Sequence, residues 1–482
     1  MDPIETHELT SWLMEDGMAI APGIRIEETA SLTFPASMST TAVPVFIGNF
    51  TVKPAADPKD GDKKVAKGRS GTCIAVQNWL DFTMKFRPRP IGPAERLTVT
   101  LTRTGPALED EHDTVDREMD ADAYTITCGR YPVDDAWFAI QLYFMNGGGN
   151  CYILPLTDAQ LSGHRLDQLP AEIRNYPEIS LLVCPQRDDS LKQHKSSLYQ
   201  ALDPLLRLDR GHFLLVDSPD GQAWNNTRID QTAVYYPPLI TMFRAPRPAD
   251  AEVKLLGHPD GRKEHLSDLA PTNKQPPSKL YERIVAAIEA QAPQLILPPS
   301  AAVAGTYVVN DRKRGVWKAP AYIPLQGVES VEKALSDEEH GTRNENGTNV
   351  IRTFGTRGTR GTFVCGIRTR ASAEGGWQYI GTRRLANMAA RDIQRLIGFA
   401  VNEPHSELTW GRVKAVIDGY LNKLWRRGAL AGDTPSKAYF VQVGQDVTMT
   451  EADIIAGTLK VKVGIAPRQP AEFLTLQFSQ GG

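Results

Sequence analysis

Ile179-Ser180-Leu181-Leu182-Val183-Cys184-Pro185 is a nearly unbroken apolar run that a proline closes. A strand apolar on both sides belongs to a sheet covered on both faces, which is the habit of parallel sheets flanked by helices. Its neighbours agree. A helix is predicted from Leu166 to Asn175 before it, and a helix from Ser190 to Leu208 and a buried strand from His212 to Asp217 after it. Further upstream, Ala42 to Gly48 reads as another buried strand. Asp134 to Met145 reads as a helix that stops at Asn146-Gly147-Gly148-Gly149, before a strand from Cys151 to Leu156. The rhythm of helix and buried strand makes this region an α/β domain.

Outside that core the patterns change. Pro22-Gly23-Ile24-Arg25-Ile26-Glu27-Glu28 is a turn followed by an alternating strand, and Thr51 to Gly71 is a polar linker. Arg87 to Tyr131 holds a hairpin signal at Leu97 to Thr102, an acidic loop at Glu109 to Asp122 and a strand at Ala123 to Cys128, so it reads as a small inserted β unit. Arg244 to Pro277 reads as loop and Lys279 to Gln291 as helix, with a domain boundary at Leu297-Pro298-Pro299-Ser300. Two amphipathic helices with basic outer faces are predicted at Arg383 to Ala400 and Leu408 to Trp425, with Gly428 as the cap of the second. Strands follow at Leu459 to Val463 and at Phe473 to Ser479, the last with Leu474, Leu476 and Phe478 on one side. The expected fold is multidomain, mixed α/β and α+β. Its parts are an N-terminal arm (1–30), a central α/β domain (31–86 and 132–297), an outer β insertion (87–131), a C-terminal α+β domain (298–466) and a C-terminal arm (467–482).

Composition narrows the function classes. A chain of 482 residues with 57 acidic and 54 basic side chains carries a net charge of −3, which argues against a chain-wide nucleic-acid or membrane-surface binder. No apolar stretch approaches the ~20 residues of a membrane helix, so no membrane insertion is expected. Met1 to Thr10 carries acids and no basic stretch before an apolar run, so no secretory signal is expected either. The five cysteines are odd in number and widely spaced, and they read as reduced thiols.

Catalytic and cofactor signals are weak. The Asn146-to-Asn150 glycine run follows a helix and precedes a strand, the reverse of the polarity a phosphate cradle needs. The histidines form no H-E-x-x-H motif and the cysteines no C-x-x-C, so neither metal nor cofactor is expected. Gly68-Arg69-Ser70-Gly71 is not a nucleophile elbow, and His212 and Asp217 read as structural mid-sheet residues. Charge is the stronger signal. Residues 341–430 hold fifteen Arg and Lys against six acids, about +9, so this region wants an acidic partner. Nucleic acid is one such partner, but Trp410 and Trp425 fall on or beside the apolar helix stripe rather than among the cations. An acidic protein surface fits equally well.

The chain resembles the sheath proteins of contractile phage tails and contractile injection systems. The resemblance runs through Pro22 to Glu28, Phe144-Met145-Asn146-Gly147-Gly148, Tyr235-Tyr236-Pro237-Pro238 and Pro298 to Gly305. It is densest at Asp311-Arg312-Lys313-Arg314-Gly315-Val316-Trp317-Lys318-Ala319-Pro320, then at Gly366 to Thr369, Trp377 to Ile380, Arg383-Arg384-Leu385, Trp425 to Gly432 and Ala466 to Phe473. It implies a structural subunit without catalysis that polymerises as stacked hexameric rings around an inner tube. Contraction of those rings would drive the tube through a target envelope. The implied partners are further copies of itself, the inner tube protein, and baseplate and terminator or cap proteins. The implied location is the bacterial cytoplasm during assembly, then a virion tail or released particle.

In such sheaths the terminal strands complete sheets in neighbouring subunits. That role would fall here to Ile24, Arg25, Ile26, Glu27 and Glu28 and to Phe473, Leu474, Leu476 and Phe478, which the patterning independently reads as strands. The resemblance makes residues 298–466 the sheath assembly domain. It turns the helix from Leu408 to Arg427 toward the tube, with Arg412, Lys414, Lys423, Arg426 and Arg427 as candidate contacts to an acidic tube surface. The insertion 87–131 departs from the family pattern and is expected on the outer surface. Two competing readings are a nucleic-acid-binding protein using residues 341–430 and a hydrolase-like enzyme in the central domain.

Overall fold

The computed structural model describes residues 40–54, 71–104, 123–161, 164–191, 194–207, 211–220, 229–271, 276–356, 359–372, 376–401 and 403–468. The chain parts into two compact units, one carrying the described residues from 40 to 391 with 467 and 468, the other residues 392–466. The division falls inside a single helix, Ile380–Leu396.

An eight-stranded sheet organises the first unit. Its order is Thr359–Val364, Thr348–Thr356, Thr232–Tyr236, Phe213–Asp217, Leu181–Val183, Pro44–Gly48, Cys151–Pro155, Ile74–Val76. The six central strands are parallel and the two edge strands antiparallel. Successive side chains point to opposite faces, and both faces are apolar. Phe46, Ile153, Leu181, Val183, Phe213, Leu215 and Tyr235 join one core with Ala136, Ile140 and Tyr143 of helix Asp135–Met145 and with Val303, Ala304 and Tyr307 of helix Ser300–Arg314. Val45, Ile47, Leu154, Leu182, Leu214, Val216 and Val234 join the other with Leu169 and Ile173 of helix Leu169–Arg174 and Leu198 and Leu202 of helix Lys195–Leu202. Each such side chain contributes about 1.5–3 kcal/mol on full burial, so the central strands are mostly apolar, and a buried polar residue such as Asn349 is kept only with hydrogen-bond partners, here the Val234 and Arg368 carbonyls. The continuous run at Ile179 to Pro185 has this origin.

Several boundaries differ from those predicted. The helix expected from Ser190 to Leu208 spans only Lys195–Leu202, because Pro204 turns the chain into a 3-10 segment at Asp203–Leu205. The inserted β unit is not self-contained. Strand Leu97–Arg103 pairs antiparallel with Tyr124–Cys128, but its other edge pairs in parallel with Val253–Leu256, inside the stretch read as loop. Leu97, Val99, Leu101, Val253 and Leu255 all belong to the first core. The Pro298-Pro299 signal marks a strand-to-helix turn within the first unit, from Gln294–Leu297 into Ser300–Arg314.

The second unit is smaller. Its longest element is helix Glu407–Arg426, and an antiparallel pair of strands, Tyr439–Gln442 and Lys462–Ile465, follows in its C-terminal half. The second of these strands lies a few residues beyond the predicted Leu459 to Val463. The terminal strand predicted at Phe473 to Ser479 and the one at Ile24 to Glu28 both lie outside the described residues.

Candidate functional site

The motif-dense segments at 311–320, 377–380 and 383–385 meet in the first unit and build a joint of buried charge. Arg384 donates to Asp311 through two nitrogens at 2.9 and 2.6 Å and to the Thr41 carbonyl at 2.9 Å. Its guanidinium lies 4.5 Å from the centre of the Tyr307 ring, whose hydroxyl meets that of Tyr235 at 2.7 Å. Burial disfavours the Arg384 charge, but the Asp311 carboxylate more than offsets it and holds the group above its ordinary value. The preceding Arg383 is 1 % exposed, stacks 4.3 Å over Trp377 and pairs with Asp230 at 3.3 Å. Helix Ile380–Leu396 therefore does not present the basic outer face predicted for it. Its first arginines turn inward to carboxylates supplied by distant segments, and the excess of positive charge counted over 341–430 is only partly on the surface.

Asp217, at the end of strand Phe213–Asp217, is also structural. It accepts from the Ser300 backbone N–H and hydroxyl, both at 2.7 Å, and from Lys195 Nζ at 3.0 Å. A carboxylate there satisfies the first turn of helix Ser300–Arg314 and complements its dipole. Among the described residues no group of three His, Cys, Asp or Glu is placed to hold a metal ion, and no helix is long and apolar enough to cross a membrane.

In the second unit, Ser406 caps helix Glu407–Arg426 by accepting from the Thr409 N–H. The buried stripe is Thr409, Val413, Ile417, Tyr420, Leu421 and Leu424, at the spacing of a helix packed on one side. Leu408, where the predicted helix begins, lies off that stripe and is 76 % exposed. Gly428 ends the helix with φ +77: its N–H reaches the Trp425 carbonyl and the Ala429 N–H that of Leu424, the paired bonds of a Schellman cap.

All five predicted tube-contact cations, Arg412, Lys414, Lys423, Arg426 and Arg427, are exposed. At about 100° per residue they do not share one face. Arg412, Lys423 and Arg426 fall within a sector of roughly 60°, whereas Lys414 projects about 160° from Arg412. Arg412 also packs 4.9 Å over the Phe399 ring, which orients it.

The paired strands of this unit form a platform the sequence revealed only in part. Tyr439 pairs with Ile465 and Val441 with Val463, and among the described residues neither strand has a partner on its outer edge. Phe440 lies across Gly464, where a Cβ would come within 1.9 Å of its ring, so this glycine makes room for the aromatic face. The aromatic and β-branched run Tyr439-Phe440-Val441 was the available signal for the first of these strands.

Comparison with known proteins places this architecture. The family model for the phage tail sheath C-terminal domain matches residues 373–481. No curated protein matches the chain. A chain in the cryo-EM structure of the anti-feeding prophage baseplate, 6-fold symmetrised, is 33 % identical, with 96 % of this chain and 100 % of that one covered and a TM-score of 0.65. One in the helical sheath of the anti-feeding prophage in the contracted state is 32 % identical over the same shares, also with a TM-score of 0.65. A third, in the contracted PVC sheath complex of an extracellular contractile injection system, is 27 % identical over 97 % of this chain and 99 % of that one, with a TM-score of 0.60. The α/β body, the strand platform and the cation-bearing helix are thus those of a structural subunit, and the chain belongs to the sheath proteins of contractile tails and contractile injection systems.

Proposed function

We propose that the protein polymerises as stacked hexameric rings around an inner tube and contracts to drive that tube through a target envelope. The observation that carries this is 32 % identity across 96 % of the chain to a subunit of a helical sheath in its contracted state. The platform Tyr439–Gln442 with Lys462–Ile465 would receive the arms of neighbouring subunits by β-augmentation, through Ile24 to Glu28 and Phe473 to Phe478. Backbone pairing of that kind tolerates rotation of the bodies it joins, so a lattice can change pitch without coming apart.

Arg412, Lys423 and Arg426 would face an acidic tube, with Arg427 beside them at the helix end. Exposed, salt-screened contacts suit an interface that must release on firing. Lys414, on the opposite flank, fits that surface least. The partners are further copies, the tube protein, the baseplate and a terminator. Assembly would occur in the bacterial cytoplasm, before the particle acts as a virion tail or is released. Electron microscopy of purified protein across a concentration series, with and without the tube protein, tests this: hollow, cross-striated tubes are expected, and dispersed protein in both series would overturn it.

A further inference from the structure

The C-terminal end of helix Ser300–Arg314 concentrates exposed positive charge that helix Glu407–Arg426 does not account for. Arg312, Lys313 and Arg314 occupy its last turn, Gly315 reverses the chain at φ +90, and Lys318 folds back as its N–H bonds the Gly315 carbonyl at 3.0 Å. Asn310 holds that return by donating to the Lys318 carbonyl at 2.7 Å. All four cations are exposed, and among the described residues none makes an ion pair. The one carboxylate beside them, Asp311, is turned away and occupied by Arg384 and Thr41. The helix dipole favours cations in a last turn, and exposed charges of one sign this close together raise a positive potential that attracts an acidic partner.

The same chain carries a matching charge. Residues 105–122 hold eight acids, Glu109, Asp110, Glu111, Asp113, Asp116, Glu118, Asp120 and Asp122, against Arg117, a net of 1 − 8 = −7. The residues that flank this segment meet, the Thr104 N–H bonding the Ala123 carbonyl at 2.9 Å. Chain geometry lets eighteen residues tethered at both ends span at most about 30 Å from that base.

We propose that Arg312, Lys313 and Lys318 form a docking surface for the acidic segment 105–122 of a second copy of this chain; Arg314, about 160° around the helix from Arg312 and bonded to the Ala321 carbonyl, lies off it. Each copy carries one cluster and one segment, so the contact is heterologous and repeats from subunit to subunit, as a polymer requires. Opposite charge at such a site chooses the neighbour and its register more than it adds affinity. In the polymer the contact rests on the self-assembly proposed above; binding of the isolated segment does not.

The test therefore has two arms. In the first, a fluorescent peptide of residues 105–122 is titrated with the full chain carrying Asp110→Asn, Glu111→Gln, Asp113→Asn and Glu118→Gln, so that its own segment competes less. Binding that weakens with salt is expected, and Arg312→Glu, Lys313→Glu and Lys318→Glu together should weaken it by about tenfold or more. Absent binding, binding indifferent to those substitutions, or preference of the cluster for a DNA oligonucleotide over the peptide would overturn the proposal.

In the second arm, the cluster-reversed chain and a segment-reversed chain (those four acids to Lys) are each examined alone and as an equal mixture. Each alone should fail to form tubes and the mixture should form them, since reversed segment meets reversed cluster across copies. Tubes from either variant alone, or none from the mixture while wild type assembles, would overturn the proposal. A wild type that forms no tubes would count against self-assembly itself and leave the first arm to decide.

Discussion

Replacing Arg384 with alanine tests how the motif-rich segments hold the first unit together. The side chains of Arg384 and Asp311 are 3 % and 7 % exposed, and the pair shares two charge-assisted hydrogen bonds, the shorter at 2.6 Å. The substitution leaves the Asp311 carboxylate buried with two neutral donors among the described residues, the Thr41 hydroxyl at 2.5 Å and the Asn310 side-chain amide at 3.3 Å, for compensation. Removing one partner of a buried pair costs about 3–5 kcal/mol, chiefly because the stranded charge stays desolvated. At about 2 °C per kcal/mol, the low end for sizeable domains, the melting temperature should fall by roughly 6–10 °C in scanning calorimetry. Adding Asp311→Leu to an Arg384→Met background removes both charges, and most of the loss should then be recovered, since apolar replacements of buried pairs are often neutral. An Arg384→Ala melt within about 2 °C of wild type, or a paired variant no better than the single one, would refute the reasoning.

Asp453 in the second unit accepts from Lys460 and from the Thr450 N–H and hydroxyl, which lower its pKa to about 2. A group depressed on folding stabilises above its unfolded value and loses that contribution as pH falls toward about 2; Asp453→Asn should therefore lower the melting temperature near neutrality, flatten its fall between about pH 4 and 2, and match wild type at the acid end. Truncation after Pro470 should leave a subunit with wild-type circular dichroism that forms no tubes, and normal tubes from it would exclude strand exchange by Phe473 to Phe478. Reversing Arg412, Lys423 and Arg426 together should weaken tube docking by about ten- to a hundredfold at low salt, at about 0.5–1 kcal/mol per exposed contact. Reversing Lys414 should change it little; equal effects in a co-sedimentation assay would remove the distinction between the two flanks.

Elements whose burial is two-sided were the most legible in the sequence. The run at Ile179 to Pro185, broken only by Ser180, and its neighbour at His212 to Asp217, apolar from Phe213 to Val216, announce a covered sheet, although the strands themselves are shorter, Leu181–Val183 and Phe213–Asp217. Val253–Leu256 was not legible. Lys254 interrupts it and prolines flank it, and only pairing with Leu97–Arg103, far off in the chain, makes it a strand. Periodicity also treats every arginine as solvent-facing. It could not show Arg383 and Arg384 pointing inward, since Asp230 and Asp311 come from other segments and only the tertiary fold brings them together. Helix Glu407–Arg426 was legible as a helix with exposed cations, because its stripe repeats cleanly and its glycine cap is local.

The measurement that bears most directly on the sheath reading is a cryo-EM reconstruction of the polymer assembled with its tube protein. Strands from residues 24–28 and 473–479 of neighbouring subunits, paired to the outer edges of Tyr439–Gln442 and Lys462–Ile465, are expected in every ring. A lattice in which each subunit keeps both arms on its own platform, or protein that stays unassembled with the tube present, would contradict it.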